Sequence, residues 1–183
     1  MADHFQVALE RTLKIEGGHS FDPKDYGGET YMGISRTYWP NWEGWYFVDK
    51  AQDKTELIRI AVEALYRTHF WERMQGDKLS IVSPEVAYEV FDTAVNLDVP
   101  DAVRFLQTAL NMQRLATKAF SEMVVDGRLG PKTIIALSLY LSTEPGDPDS
   151  NEKILLNCMN GEQYISYKGN PRHPYFRGWF LRV

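Results

Sequence analysis

Only one cysteine, Cys158, occurs in 183 residues, so no intrachain disulfide can form and the residue is predicted to act as a small buried hydrophobe. Basic clusters are missing as well. Lys and Arg number 20 against 25 Asp and Glu, and the formal net charge of −5 lacks the concentrated positive charge that phosphate backbones require. Nucleic acid is thereby disfavoured as a partner, and an anionic polymer would have to be held by short-range contacts in a groove. No apolar run is long enough to span a membrane. The start, MADHFQVALERTL, is interrupted by Asp3, Glu10 and Arg11 and lacks the apolar core of a signal peptide. These absences predict a soluble protein made in the cytoplasm. No His, Cys or carboxylate spacing suits zinc, so neither a metal nor a cofactor is predicted.

What is present suffices for a substantial core: 44% hydrophobic and 25% charged residues are ordinary globular values. Residues 3–16 place Phe5, Ala8, Leu9, Thr12 and Leu13 at helical spacing, with Asp3 and Gln6 arranged like a capping box. Gly17 and Gly18 then close the helix, which puts Glu16 in its last turn. From His19 to Ile34, repeated Gly, Pro and Asp predict a tight loop or small hairpin, and irregular, aromatic-rich sequence continues to Val48.

Helical periodicity returns over 55–74 through Leu57, Ile60, Ala61, Ala64 and Leu65. Ser83-Pro84-Glu85 is a capped helix start whose inward face is Val86, Val90, Phe91 and Ala94. Pro100-Asp101 opens another helix, followed by a further short one, a turn over 125–131, a helix from Pro131 to Leu141, a loop over 143–150 and a last helix over 151–167. The aromatic tail RHPYFRGWFLRV is predicted to dock on the core. The fold class read from this pattern is mainly α with a small loop or β-hairpin lobe.

Residues 15–34 carry the chemistry. A carboxyl at a helix C-terminus faces the negative end of the helix dipole, and any apolar cover disfavours its charge further, so Glu16 is a candidate proton donor. Asp25 lies in the glycine-rich loop, where water and backbone N–H groups would keep it ionised. The Thr30 hydroxyl is placed to help hold a water molecule. Two carboxyls pushed apart in pKa form the working pair of a glycoside hydrolase. Asp22 and Glu29 remain rival second carboxylates, although Asp22-Pro23 also reads as a turn opener. Glu16 could equally be a solvated residue at a frayed helix end.

The ordered string Glu16-Gly-Gly, Asp22-Pro, Asp25, Gly27-Gly28, Thr30 and Gly33-Ile34 resembles the signature of the glycoside hydrolase family 108 muramidases of phage endolysins and related bacterial proteins. The segments YRTHFW (66–71), FDTAVN (91–96), AVRFLQTAL (102–110) and the closing FRGW and RV resemble its later landmarks in order. The resemblance implies a lysozyme-like fold with a catalytic lobe over 1–98 and a helical, peptidoglycan-binding-like half over 99–183, packed as one unit. It further implies cleavage of the β-1,4 bond between N-acetylmuramic acid and N-acetylglucosamine, with Glu16 as the catalytic glutamate. The acid–aspartate–threonine order also resembles phage-type lysozymes, with the threonine one residue early; Tyr26 and Glu29 stand where the family more often has proline and alanine. A non-catalytic wall-binding or secretion-assisting protein and a lytic transglycosylase are the alternative readings. The glycan strand is the implied partner, and with no leader sequence read, a holin or secretion system is the implied route to the wall.

Trp39, Trp42, Trp45 and Tyr46 form an aromatic cluster without helical period. Core packing is the simpler reading, with stacking on sugar rings as the functional one that makes Trp42 and Trp45 candidate substrate contacts. Tyr31, Asp22 and Asn96 are candidate contacts too. Asn96 and Asp92 also suit a structural hydrogen-bonding role on an apolar helix.

Overall fold

The computed structural model describes residues 3–16, 18–21, 28–50, 55–143 and 151–169, and divides the chain into two compact units, Met1–Glu72 and Arg73–Val183. The fold class is mainly α with a small antiparallel sheet, as the sequence pattern predicts.

In the first unit, Asp3 starts α1 (His4–Glu16) by accepting from the N–H groups of Phe5 at 3.1 Å and Gln6 at 3.4 Å. The capping box is only half formed, because the Gln6 amide donates to Glu63 at 3.1 Å. Phe5, Ala8, Leu9 and Thr12 give α1 its buried stripe. Three short strands follow: β1 (His19–Phe21), β2 (Glu29–Tyr31) and β3 (Ile34–Ser35), in that order across the sheet. Met32 and Gly33 join β2 to β3 with φ of 46° and 79°. Positive φ at both central residues is what a type I′ hairpin needs. Met32, a poor residue for that geometry, has its carbonyl held by the Tyr66 hydroxyl at 2.9 Å.

The stretch up to Val48 is less irregular than its sequence suggests. It contains a short helix, α2 (Gly44–Asp49), where Gly44 lets the Trp42 ring lie against its own backbone, space that any Cβ would claim. The helix expected over 55–74 is α-helical only as α3 (Thr55–Tyr66); Arg67–Trp71 widens into a π turn. Such a turn shifts the side-chain phase, and Trp71 is fully buried after it, edge-on to Phe5 at 5.8 Å.

The second unit is built of helices. Its first, α4 (Gly76–Val82), escapes the sequence reading because it is short and starts after Gln75 at φ 50°. The predicted cap of α5 (Pro84–Asn96) is present: Ser83 Oγ accepts from Val86 N–H at 3.0 Å and donates to Glu152 at 2.6 Å. Asp98 caps α6 (Val99–Thr117) through the Asp101 N–H at 2.7 Å.

No separate short helix follows α6. The helix runs on to Thr117 and stops at Lys118 in the left-handed region (φ 54°), and 118–130 forms neither helix nor strand. The Asn111 amide holds this segment, donating to Met123 O at 2.8 Å and accepting from Met123 N–H at 2.9 Å. α7 (Pro131–Leu141) and α8 (Asn151–Gly169) complete the unit, with α6 packed against α5, α7 and α8. Cys158 on α8 is half-buried and receives a contact from Gln113 at 3.3 Å, so it is less enclosed than its sequence predicts. The tail beyond Gly169 lies outside the described residues.

Candidate active site

The first unit carries most of the predicted site. α1 ends at Glu16 and strand β1 begins three residues later, which fixes where that backbone leaves the helix. The Glu16 side chain, Asp22 and Asp25 lie outside the described residues.

Thr30 sits in the middle of the central strand, opposite Ser20 on one side and Ser35 on the other. Directly paired residues share a face, so the three hydroxyl side chains form a row across the sheet. Ser35 is buried, Thr30 half-buried and Ser20 exposed. Among the described residues the Thr30 hydroxyl reaches only Gly28 O, at 3.5 Å, a long and weak bond that leaves it able to serve another partner.

The opposite face carries Glu29, Tyr31, His19 and Ile34, by the same register. Thr30 and Tyr31 therefore point to different faces, and the sheet does not bring these two predicted residues together. Glu29 is committed at both oxygens: Oε1 to His19 Nε2 at 2.9 Å and Oε2 to Arg36 Nε at 2.7 Å. Arg36 continues the chain, reaching the two Asp49 oxygens at 3.2 and 2.5 Å while its guanidinium lies 4.1 Å from the centre of a Trp45 ring. The hydrogen bond to Asp49 raises the Arg36 pKa, assisted by the charge of Glu29, and holds the Asp49 carboxyl below its usual range. Glu29 is thus held in an ion chain that ties β2 to α2.

Trp42 and Trp45 are 8% and 4% exposed, which places them in the core. Their indole N–H groups donate to Ala61 O at 3.1 Å and Trp39 O at 2.8 Å, and their rings meet edge-to-face at 5.0 Å. Tyr31 lies 6.4 Å from the Trp42 ring. Tyr38 and Trp39, by contrast, are on the surface of an open groove. Sequence reading named Trp39 only as part of the cluster and passed over Tyr38.

In the second unit, Asn96 on α5 donates to Asp92 O at 3.2 Å and faces Asp92 Oδ2 at 3.5 Å, the structural role that its helix position suggested. Two turns before Asn96, and one before Asp92, is a residue missed in the sequence. Glu89 is half-buried, and its pKa rises to about 7, chiefly through burial and secondarily through the charge of Asp92; a hydrogen bond from Thr93 at 3.3 Å opposes the rise. The signal was a glutamate between Tyr88 and Val90, inside the apolar stripe of α5.

Residues 9–97 match the family described as Glycosyl hydrolase 108. A solved structure, that of Brucella abortus SagA, is similar over 97% of this chain and 88% of the other, at 26% sequence identity and a TM-score of 0.67. The curated proteins give no match.

Proposed function

We propose that this chain, a glycoside hydrolase whose residues 9–97 match the glycosyl hydrolase 108 family and whose family-level substrate is peptidoglycan, is an N-acetylmuramidase. It would cleave the β-1,4 bond between N-acetylmuramic acid and N-acetylglucosamine. The observation that carries this reading is the order of parts inside the matched segment: a helix that stops on Glu16, then a sheet whose central strand holds Thr30 in a row of hydroxyls.

In this mechanism Glu16 protonates the leaving oxygen, and the helix end favours its acid form. Asp25 and Thr30 orient the attacking water, or Asp25 stabilises the positive charge that develops on the sugar. Glu29 is the weaker rival, since both of its oxygens already serve His19 and Arg36. The segment 99–183 would act as a peptidoglycan-binding half. Among the described residues no helix is long and apolar enough to cross a membrane, and a holin or a secretion system would give the enzyme access to the wall.

Muropeptide analysis of purified sacculi tests the proposal. The wild-type chain should release fragments with new reducing N-acetylmuramic acid ends, and Glu16→Gln should keep the fold and release none. Undiminished release by Glu16→Gln would remove Glu16 as the acid. 1,6-Anhydro ends would replace hydrolysis by a lytic transglycosylase reaction, and binding to sacculi without any cleavage would leave a wall-binding protein. Glu89 supports a second assignment of the acid, because its carboxyl holds a proton to about pH 7. Loss of cleavage in Glu89→Gln, with Glu16→Gln active, would transfer the role to it.

A further inference from the structure

A groove of about 490 Å³ opens within the first unit, on the surface formed by the residues after β3 and one side of α3. We propose that it is a sugar subsite, in which a pyranose ring of an N-acetylated amino sugar lies against Trp39 and Tyr38. The proposal rests on the reading of the chain as a glycan hydrolase and adds a binding position outside the residues given catalytic roles.

The size suits a small ligand, which typically occupies about 300–1,000 Å³. Its walls combine ring faces with a few polar groups. Tyr38 is 64% exposed and Trp39 is partly exposed. Asn41 and Glu43 are exposed and line the groove together with His69. A pyranose has one face of C–H groups and a rim of hydroxyls, so it asks for an aromatic surface beside planar amide and carboxylate groups. Among the described residues no Lys or Arg lines the groove, which disfavours phosphate and other strongly anionic ligands.

The platform is also held in place. Trp39 N–H donates to Ser35 O at 2.8 Å, and Tyr38 N–H reaches Ser35 Oγ at 3.4 Å. The Trp39 carbonyl accepts from both Trp42 N–H at 3.1 Å and the Trp45 indole. Underneath, the π turn brings two successive side chains to the same ring: His69 at 4.5 Å and Phe70 at 6.3 Å, both edge-to-face. An ordinary helical turn separates successive side chains by a larger step around the axis, and π turns are frequent at functional sites. Ser35 is the register partner of Thr30, so the platform is anchored to the strand pair that carries the proposed water-holding hydroxyl. Trp42, whose N–H is already used by Ala61, contributes only ring carbon to the floor.

The test is titration of the whole chain with a soluble N-acetylglucosamine oligomer, followed by the indole N–H resonances in NMR. The Trp39 resonance should shift, and the buried Trp45 indole should move less. Trp39→Ala should weaken oligomer binding about tenfold and raise KM on sacculi far more than it lowers kcat, while Trp39→Phe recovers most of the loss. The backbone bonds at position 39 survive the substitution. Should Trp39→Ala fail to fold, Tyr38→Ala and Asn41→Ala, both at exposed positions, must reproduce the loss of affinity.

Unchanged binding in these folded variants overturns the proposal. So does a proline-rich peptide that displaces the oligomer or shifts Trp39 where the oligomer does not. Glu16→Gln should retain the Trp39 shift. If no variant or wild-type chain cleaves sacculi but the shift persists, the muramidase reading fails and the subsite stands.

Discussion

The two compact units hold themselves together by different means. In Arg73–Val183 the helices bury aliphatic rows, Val86, Val90, Ala102, Val103, Leu106 and Leu110 among them, and a buried amide fixes the least regular turn. Gln107 donates to Asp126 at 2.9 Å, Arg128 O at 3.2 Å and Thr133 at 3.3 Å, and accepts from Gly127 N–H at 3.0 Å. Gly127 is required there, since its φ is 73° and a Cβ would lie 2.8 Å from Pro100 O. In Met1–Glu72 the pieces are shorter. Aromatic edges and the His19–Glu29–Arg36–Asp49 chain do much of what long helices do in the other unit. The unit with most of the proposed catalytic residues therefore supplements its aromatic core with a chain of charged groups, and the other unit relies mainly on aliphatic burial with a buried amide at its turn.

The largest expected effect falls on chemistry. Glu16→Gln should lower the hydrolysis rate by about 10²–10⁴, the usual share of a general acid, with an unchanged circular dichroism spectrum. Next comes the Gln107 hub. Gln107→Ala leaves buried N–H and hydroxyl groups unpaired and should destabilise by about 2–3 kcal/mol in urea unfolding; a cost under about 0.5 kcal/mol would show that water replaces the amide.

Glu89 is the exception that sharpens the contrast, being a titrating group largely withdrawn from water on a helix whose buried face is mostly apolar. Its pKa of about 7 lies above the ordinary 4.5, so between those values the folded chain binds a proton that the unfolded chain has released. Stability should accordingly fall as pH rises from 4.5 to about 7 and change little beyond. Glu89→Gln should flatten that slope and stabilise the protein at pH 8 by on the order of 2 kcal/mol. An unaltered slope would contradict the burial of that carboxyl.

The smallest effect belongs to the ion chain, which is partly exposed and screened by water. Arg36→Met keeps an apolar stem over Trp45 and removes the charge, and Tm should drop by about 2–4 °C. Asp49 has a lowered pKa, so its contribution is present above the unfolded value and fades as pH falls through the folded one. The difference between wild type and Arg36→Met should therefore shrink in acid and in high salt.

Local chemistry determined a good deal of this protein by itself. Asp3 and Ser83 as helix starts, Pro131 as the first residue of α7 and the end of α1 on Glu16 all follow from caps, proline and glycine within a few residues of one another. The three strands were legible only as a loop or hairpin, because strands of two or three residues are too short to show alternation. What the tertiary structure alone decided is which face each side chain serves. Register put Thr30 in one row with Ser20 and Ser35, distant carbonyls claimed the indoles of Trp42 and Trp45, and a π turn brought His69 and Phe70 to Trp39. Those outcomes depend on partners far along the chain, whose geometry no local spacing encodes, and so does the burial that raises the Glu89 pKa.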